Sequence, residues 1–302
     1  MNAQTLRRLA LLLAGLVLVW LGVGLWRRIG RDTDRGIRLT RFDPKAVDQA
    51  LLAGPTDTLR FAKTAGGWTV NGHPASTATV SDLLNALADT AAQSELVAQS
   101  AASLPQLGLD SAGARRLAVL GSGKTLAELL VGKPGDVYGT VLVRKVGEAR
   151  VYALKGQLGS LVGRPQDDWR DRVIAQVPAE SVLAINVQRG KRTYSLKRDG
   201  KVWRLGSAPA DTAAVARLLL QFRDLDAAGF PTEAQADSAR FAPATRAVQL
   251  SGAGGRTLVD LRMDSVANTF WVRRAGDSIT YRIDAWTADQ LAPADSLLRK
   301  KR

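Results

Sequence analysis

The chain is written twice, and this constrains its fold more than any single motif. Trp68-Thr69-Val70, Pro74-Ala75-Ser76 and the apolar set Val80, Leu83, Leu84, Leu87 recur as Trp203-Arg204-Leu205, Pro209-Ala210-Asp211 and Val215, Leu218, Leu219, Phe222, every pair 135 positions apart. The copy resumes with Gly123-Lys124-Thr125-Leu126 answering Gly255-Arg256-Thr257-Leu258 at an offset of 132. Val143-Arg144-Lys145 then answers Val272-Arg273-Arg274 at 129. A segment repeated at such length is a folding unit, and two units of about 100–150 residues account for a chain of 302. The repetition also lets any motif in one copy be tested against its twin.

Within each copy the local patterns follow the same order. A short alternating strand (Leu59-Arg60-Phe61; Tyr194-Ser195-Leu196-Lys197-Arg198) runs through a glycine turn (Gly66-Gly67; Asp199-Gly200) into the strand bearing the Trp, which is a β-hairpin pattern. Ser76 or Asp211 then stands as a helix N-cap ahead of an i, i+3, i+4, i+7 apolar stripe. Further strands are expected at 117–120, 126–131, 138–145 and 151–154, and again at 248–250, 258–263, 268–274 and 279–283. Strands grouped around one helix indicate an α+β class, each module an antiparallel sheet with its main helix on one face and the repeated Trp as the floor beneath it. The expected organisation is a tail and transmembrane anchor at 1–29, a juxtamembrane linker at 30–54, a first module at 55–160, a charged connection at 161–181, a second module at 182–292 and a basic tail at 293–302.

Residues 9–26 contain no charged side chain, and eighteen residues at about 1.5 Å each span roughly 27 Å, close to the hydrocarbon thickness of a bilayer. A cleaved signal peptide ending at Gly22-Val23-Gly24 is the competing reading. The length of the run and the interfacial Trp26-Arg27-Arg28 favour a retained single-pass anchor. Arginines flank both ends of the segment. A short N-terminal tail ahead of a strong apolar helix favours export, so the body is expected in the periplasm of a bacterial inner-membrane protein.

The net charge of +14 is unevenly placed. Residues 1–45 hold nine Lys/Arg against Asp32, Asp34 and Asp43, and the tail ends Arg299-Lys300-Lys301-Arg302, which leaves the body only mildly basic. Charge at the ends suits anionic lipid headgroups. Nucleic-acid binding wants basic residues gathered on one folded face, so no nucleic-acid partner is expected.

The common catalytic constellations are missing. The chain has no Cys and a single histidine, His73, in the turn-like Asn71-Gly72-His73-Pro74, so thiolate chemistry and His/Cys metal sites are excluded. No Gly-x-Ser-x-Gly elbow occurs. Gly121-Ser122-Gly123-Lys124-Thr125 imitates the end of a phosphate loop, but the position that should carry its first glycine is Ala118, and the twin Gly254-Gly255-Arg256-Thr257 reads as a plain turn. Neither an enzyme nor a cofactor is expected. The densest polar segment is Asp167, Asp168, Trp169, Arg170, Asp171 and Arg172, between the copies. Alternating charges around one Trp most often pack the ring inward, but Trp and Arg also dominate interface hot spots, which makes these six the candidate partner-binding residues.

Several of these features together resemble the domain of unknown function 4340 family: the N-terminal anchor, the paired Trp-then-helix modules, Leu130-Val131-Gly132-Lys133, Val143-Arg144 with Val151-Tyr152, and Asp168-Trp169-Arg170-Asp171. The resemblance runs over roughly residues 55–290. It implies a membrane-anchored bacterial envelope protein, often associated with ABC-type export systems of the gliding-motility kind, as a non-catalytic accessory whose partners are proteins of a transporter complex. A binding module for an anionic envelope polymer is the alternative.

Overall fold

The computed structural model describes residues 36–300 except 267–268. The apolar run at 9–26 lies outside the described residues, and among these no helix is long and apolar enough to cross a membrane. The chain divides into two units, with the boundary between Arg170 and Asp171. Both are mostly antiparallel sheet with few helices.

The first unit contains β1 (Gln49–Ala53), β2 (Thr58–Thr64), β3 (Gly67–Val70), β4 (His73–Pro74), α1 (Thr77–Ala88), β5 (Ser94–Ala98), β6 (Arg115–Gly121), β7 (Lys124–Pro134), β8 (Thr140–Arg144), β9 (Val151–Lys155) and α2 (Leu158–Val162). Its sheet runs in the order β4-β3-β2-β1-β6-β7-β8-β9-β5, with antiparallel neighbours throughout. Side chains alternate across a strand, so Leu59 and Phe61, Ala50 and Leu52, Leu117 and Val119, and Leu129 and Val131 share one face. That face is covered by α1 through Val80, Leu83, Leu84 and Leu87, all buried, with Trp68 among them. Ser76 caps α1 by accepting the Thr79 N–H at 3.3 Å. A smaller cluster of Leu109, Leu142 and Val151 closes the opposite face near the β8–β9 end.

The second unit contains β10 (Val173–Ala175), β11 (Ala184–Arg189), β12 (Arg192–Asp199), β13 (Val202–Leu205), β14 (Ala208–Pro209), α3 (Thr212–Leu220), β15 (Leu225–Asp226), α4 (Glu233–Ser238), β16 (Arg246–Ser251), β17 (Thr257–Val266), β18 (Thr269–Arg274), β19 (Tyr281–Asp284) and α5 (Ala285–Leu291). Its sheet runs β14-β13-β12-β11-β16-β17-β18-β19, and β10 pairs separately with β15. Asp211 caps α3 by accepting the N–H groups of Ala213 and Ala214 at 2.9 and 3.1 Å. Val215, Leu218, Leu219 and Phe222 pack on Ile185, Val187, Leu196 and Trp203. Phe222 lies beyond the helix end and is wholly buried all the same.

The repeated Trp residues are core, as the sequence predicts: Trp68 is 7% and Trp203 5% exposed. Two boundaries move. β1 lies inside the stretch expected to be linker, because Ala50 and Leu52 point into the core while its backbone pairs with both β2 and β6. The expected strand at 138–145 starts only at Thr140; Val137 to Gly139 form a turn closed by the Thr140 N–H on the Val137 carbonyl at 3.1 Å.

Candidate functional site

The segment singled out as charged connection is stapled into the fold. Gln166–Asp168 form one turn of 3-10 helix, after which Trp169 enters the core of the first unit. Trp169 is 0% exposed, meets the Phe61 ring edge-to-face at 4.9 Å between centroids, and accepts the Ser76 N–H on its carbonyl at 2.8 Å. Arg170 bridges to Ala75 through the backbone and lies 3.6 Å from the Asp167 carboxylate. Asn71, at a positive-φ turn, donates to the Gln166 side chain at 2.9 Å and so ties the segment to the β3–β4 hairpin. On the other side of the unit boundary, Asp171 accepts the Val173 N–H at 3.0 Å and the Arg172 carbonyl accepts the Ala227 N–H at 2.8 Å.

The six residues therefore do not form one presented surface. Trp169 is removed from the candidate partner-binding set, because a ring without solvent contact offers a partner nothing. Asp167, Arg170, Asp171 and Arg172 are half-buried, and only Asp168 is exposed.

The phosphate-loop mimic is a two-residue hairpin turn. Gly121 pairs with Lys124, and Ser122 and Gly123 between them hold φ of 49° and 75°, the left-handed pair such a turn requires. The Ser122 N–H, which a phosphate would need, donates instead to the Asp48 carboxylate at 2.8 Å. An anion already fills that role. Among the described residues no group of three or more His, Asp and Glu side chains converges on a point that could hold a metal ion.

A groove in the first unit has the character of a binding site. It encloses about 800 Å³ between the β7–β8 loop, the end of β9 and α2. Six glycines line it: Gly132, Gly135, Gly139, Gly156, Gly159 and Gly163. Two of them, Gly139 and Gly156, hold positive φ and join backbone to backbone at 2.9 Å. A Cβ on Gly159 would lie 2.8 Å from that of Val141, so this glycine lets α2 lie flush on β8. Arg115 fixes one wall by donating to the Val162 carbonyl and to Asp57. At the rim stand Val137 and Tyr138, 62% and 100% exposed. A volume of this size with mostly apolar walls falls in the range of ligand and peptide sites. Sequence reasoning placed Tyr138 in a strand and passed over the groove; the available signal was the density of Gly and Pro in Gly132-Lys133-Pro134-Gly135-Asp136-Val137-Tyr138-Gly139.

In the second unit the main electrostatic feature is a knot of Arg189, Arg246 and Asp289. The two arginines are register partners on β11 and β16, and each reaches the Asp289 carboxylate, at 2.7 and 2.8 Å. Burial works against the Asp289 charge, but the Arg189 and Arg246 hydrogen bonds and charges outweigh it and hold this carboxyl below the usual range. Burial and the neighbouring Arg189 lower the Arg246 guanidinium. Arg189 also donates to the Ala292 carbonyl at 2.6 Å, so the knot clamps α5 and the turn after it onto the sheet. Burial pushes the Tyr194 phenol up; its hydroxyl donates to the Pro293 carbonyl at 2.5 Å. These contacts hold α5 and the turn after it in place.

No curated protein and no solved structure matches the chain. A family model does, the one described as Domain of unknown function (DUF4340), over residues 68–242. That span starts at the first repeated Trp and ends past the second repeated helix, so it holds α1, Trp169 and the whole second hairpin with α3, while β2 of the first hairpin precedes it. More than half of the chain lies within it, and the chain belongs to the DUF4340 family.

Proposed function

We propose that the chain is a non-catalytic, membrane-anchored accessory or scaffold protein. The apolar segment at 9–26 holds it in a bacterial inner membrane, and its body stands in the periplasm as a platform for protein partners in an ABC-type transport or gliding-related envelope complex. The body consists of two similar α+β modules that arose by duplication. The 135-residue repeat and the correspondence of the strand orders, β4-β3-β2-β1-β6-β7-β8-β9 with β14-β13-β12-β11-β16-β17-β18-β19, support that origin.

The observation that carries the platform reading is the Val137–Tyr138 rim beside the glycine-lined groove. Leaving a whole aromatic ring and its apolar neighbour in water wastes the hydrophobic free energy of burial, roughly 1.5–3 kcal/mol for each large side chain. Exposed Tyr next to a pocket is also the composition of interface hot spots. The short hydrogen-bonded turn fixes the backbone that carries the ring, which lowers the ordering cost of a complex.

The test places a photo-crosslinking amino acid at position 138 of the full chain in its own membrane, with position 197, an exposed site on β12, as control. Crosslinks from 138, and not from 197, to a membrane-spanning transporter subunit support the reading. No crosslink, or equal capture at both positions, overturns it. A reporter fused after Arg302 should be active only when it is a periplasm-dependent one; activity of a cytoplasm-dependent reporter refutes the topology.

A further inference from the structure

The second unit carries a cleft of about 730 Å³ on the sheet face that points away from α3 and its core. Its floor is made of two cross-strand rows. In the first, Ser195, Asn186, Gln249 and Asp260 are successive register partners across β12, β11, β16 and β17. In the second, Thr193, Gln188, Ala247 and Arg262 occupy the same strands two residues on. The wall is the 241–244 segment, where the Phe241 ring is braced by the Arg273 guanidinium at 4.5 Å.

The floor is already organised. Asn186 donates to the Gln249 side-chain oxygen at 3.3 Å, which leaves the Asn186 oxygen and the Gln249 amino group for other partners. Gln188 donates to the Gly190 and Ala244 carbonyls, both at 3.3 Å, and so joins floor to wall with its own oxygen unspent. Planar amides that offer a donor and an acceptor at fixed spacing, flanked by hydroxyls, match vicinal hydroxyl groups, and sites built to bond a ligand hydroxyl discriminate strongly against ligands that lack it.

Other ligand classes fit less well. All four floor strands are interior and paired on both sides, so no backbone edge is available for strand addition by a peptide. The floor's charged side chains, Asp260 and Arg262, are one of each sign and 4.0 Å apart, so the floor itself carries no net charge to draw an anion. The platform is also particular to this unit. The positions 135 residues before Asn186, Gln188 and Ser195 are Leu51, Ala53 and Arg60, and Leu51 pairs with Ala118 where Asn186 pairs with Gln249.

We propose that this cleft is a saccharide-binding site that takes a short, neutral, polyhydroxylated chain. The test probes the full chain, purified in a sugar-free zwitterionic detergent, against immobilised neutral oligosaccharides, acidic oligosaccharides and extended peptides at physiological salt. The expected result is binding of a neutral oligosaccharide that falls about ten-fold or more in the Asn186→Ala/Gln249→Ala variant while Tm stays at the parent value. Should that variant melt early, Ser195→Ala removes one hydroxyl without touching the amide pair and should weaken binding several-fold. Absence of neutral-glycan binding, binding unaltered in the variants, or binding confined to acidic glycans or peptides overturns the proposal.

Discussion

Replacing Trp169 by Ala separates the packing role of the charged connection from a partner-binding role. The ring is fully buried in the first unit's core, in edge-to-face contact with Phe61 at 4.9 Å. Truncating a buried Trp costs about 3–5 kcal/mol in lost transfer energy and residual cavity, and the lost aromatic pair is worth about 0.5–1.5 kcal/mol of that beyond its area. A domain of this size moves by about 2–4 °C in Tm for each kcal/mol, so the unfolding transition should fall by roughly 6–20 °C. Glu95→Ala serves as control: an exposed carboxylate on the edge strand β5 should change stability by no more than about 0.5 kcal/mol. The assay is urea unfolding of the full chain followed by tryptophan fluorescence and by far-UV circular dichroism, since the two units can unfold in separate steps. A Trp169→Ala variant within about 1 kcal/mol of the parent refutes the staple, and would return the ring to the candidate interface.

Three further outcomes are expected. Trp68→Ala and Trp203→Ala should each destabilise by about 3–5 kcal/mol, read by the same unfolding curves, and parent-like melting of both would show that the two floors do not carry their helices. Asp289 is held below the usual carboxylate range by Arg189 and Arg246, so its stabilising contribution is present above the unfolded value of about 3.9 and disappears as pH falls through the lower folded value. In Asp289→Asn the fall in stability below about pH 4 should therefore be shallower than in the parent, and superimposable acid limbs would refute the clamp. Isothermal titration with ATP should give no heat of binding, because the Ser122 N–H is engaged by Asp48; micromolar affinity abolished by Lys124→Ala would show that the turn opens into a phosphate loop.

What the sequence made legible were features whose cause lies within a few residues. Both N-caps, both apolar stripes and the Asn71-Gly72 and Ser122-Gly123 turns follow from side chains that satisfy or bend the adjacent backbone. β1 was not legible. Gln49-Ala50-Leu51-Leu52-Ala53 is composed of good helix formers, and it is a strand only because β2 and β6 take up both of its edges, with β6 more than sixty residues away. Trp169 shows the same limit from the other side. The charges around it predict a ring packed inward but not against what, because the Phe61 ring and the Ser76 N–H that it meets come from about a hundred residues earlier.

Under the proposed duplication, the two units share a strand order and differ on one face of the sheet. At Ile185 and Val187 the inward side chains answer Ala50 and Leu52 and remain apolar, because each sheet must bury that face under its helix. At Asn186 and Gln188 the outward side chains stand where the positions 135 residues earlier hold Leu51 and Ala53, and the fold tolerates amides there because the period of two keeps them off the core. Asn-x-Gln in one strand is an unremarkable pattern by itself. It becomes a platform only when the register sets Gln249, 63 residues downstream, beside Asn186. Outward positions on these strands can therefore vary in one unit without disturbing the core of either, and the proposed saccharide site lies where the two units differ.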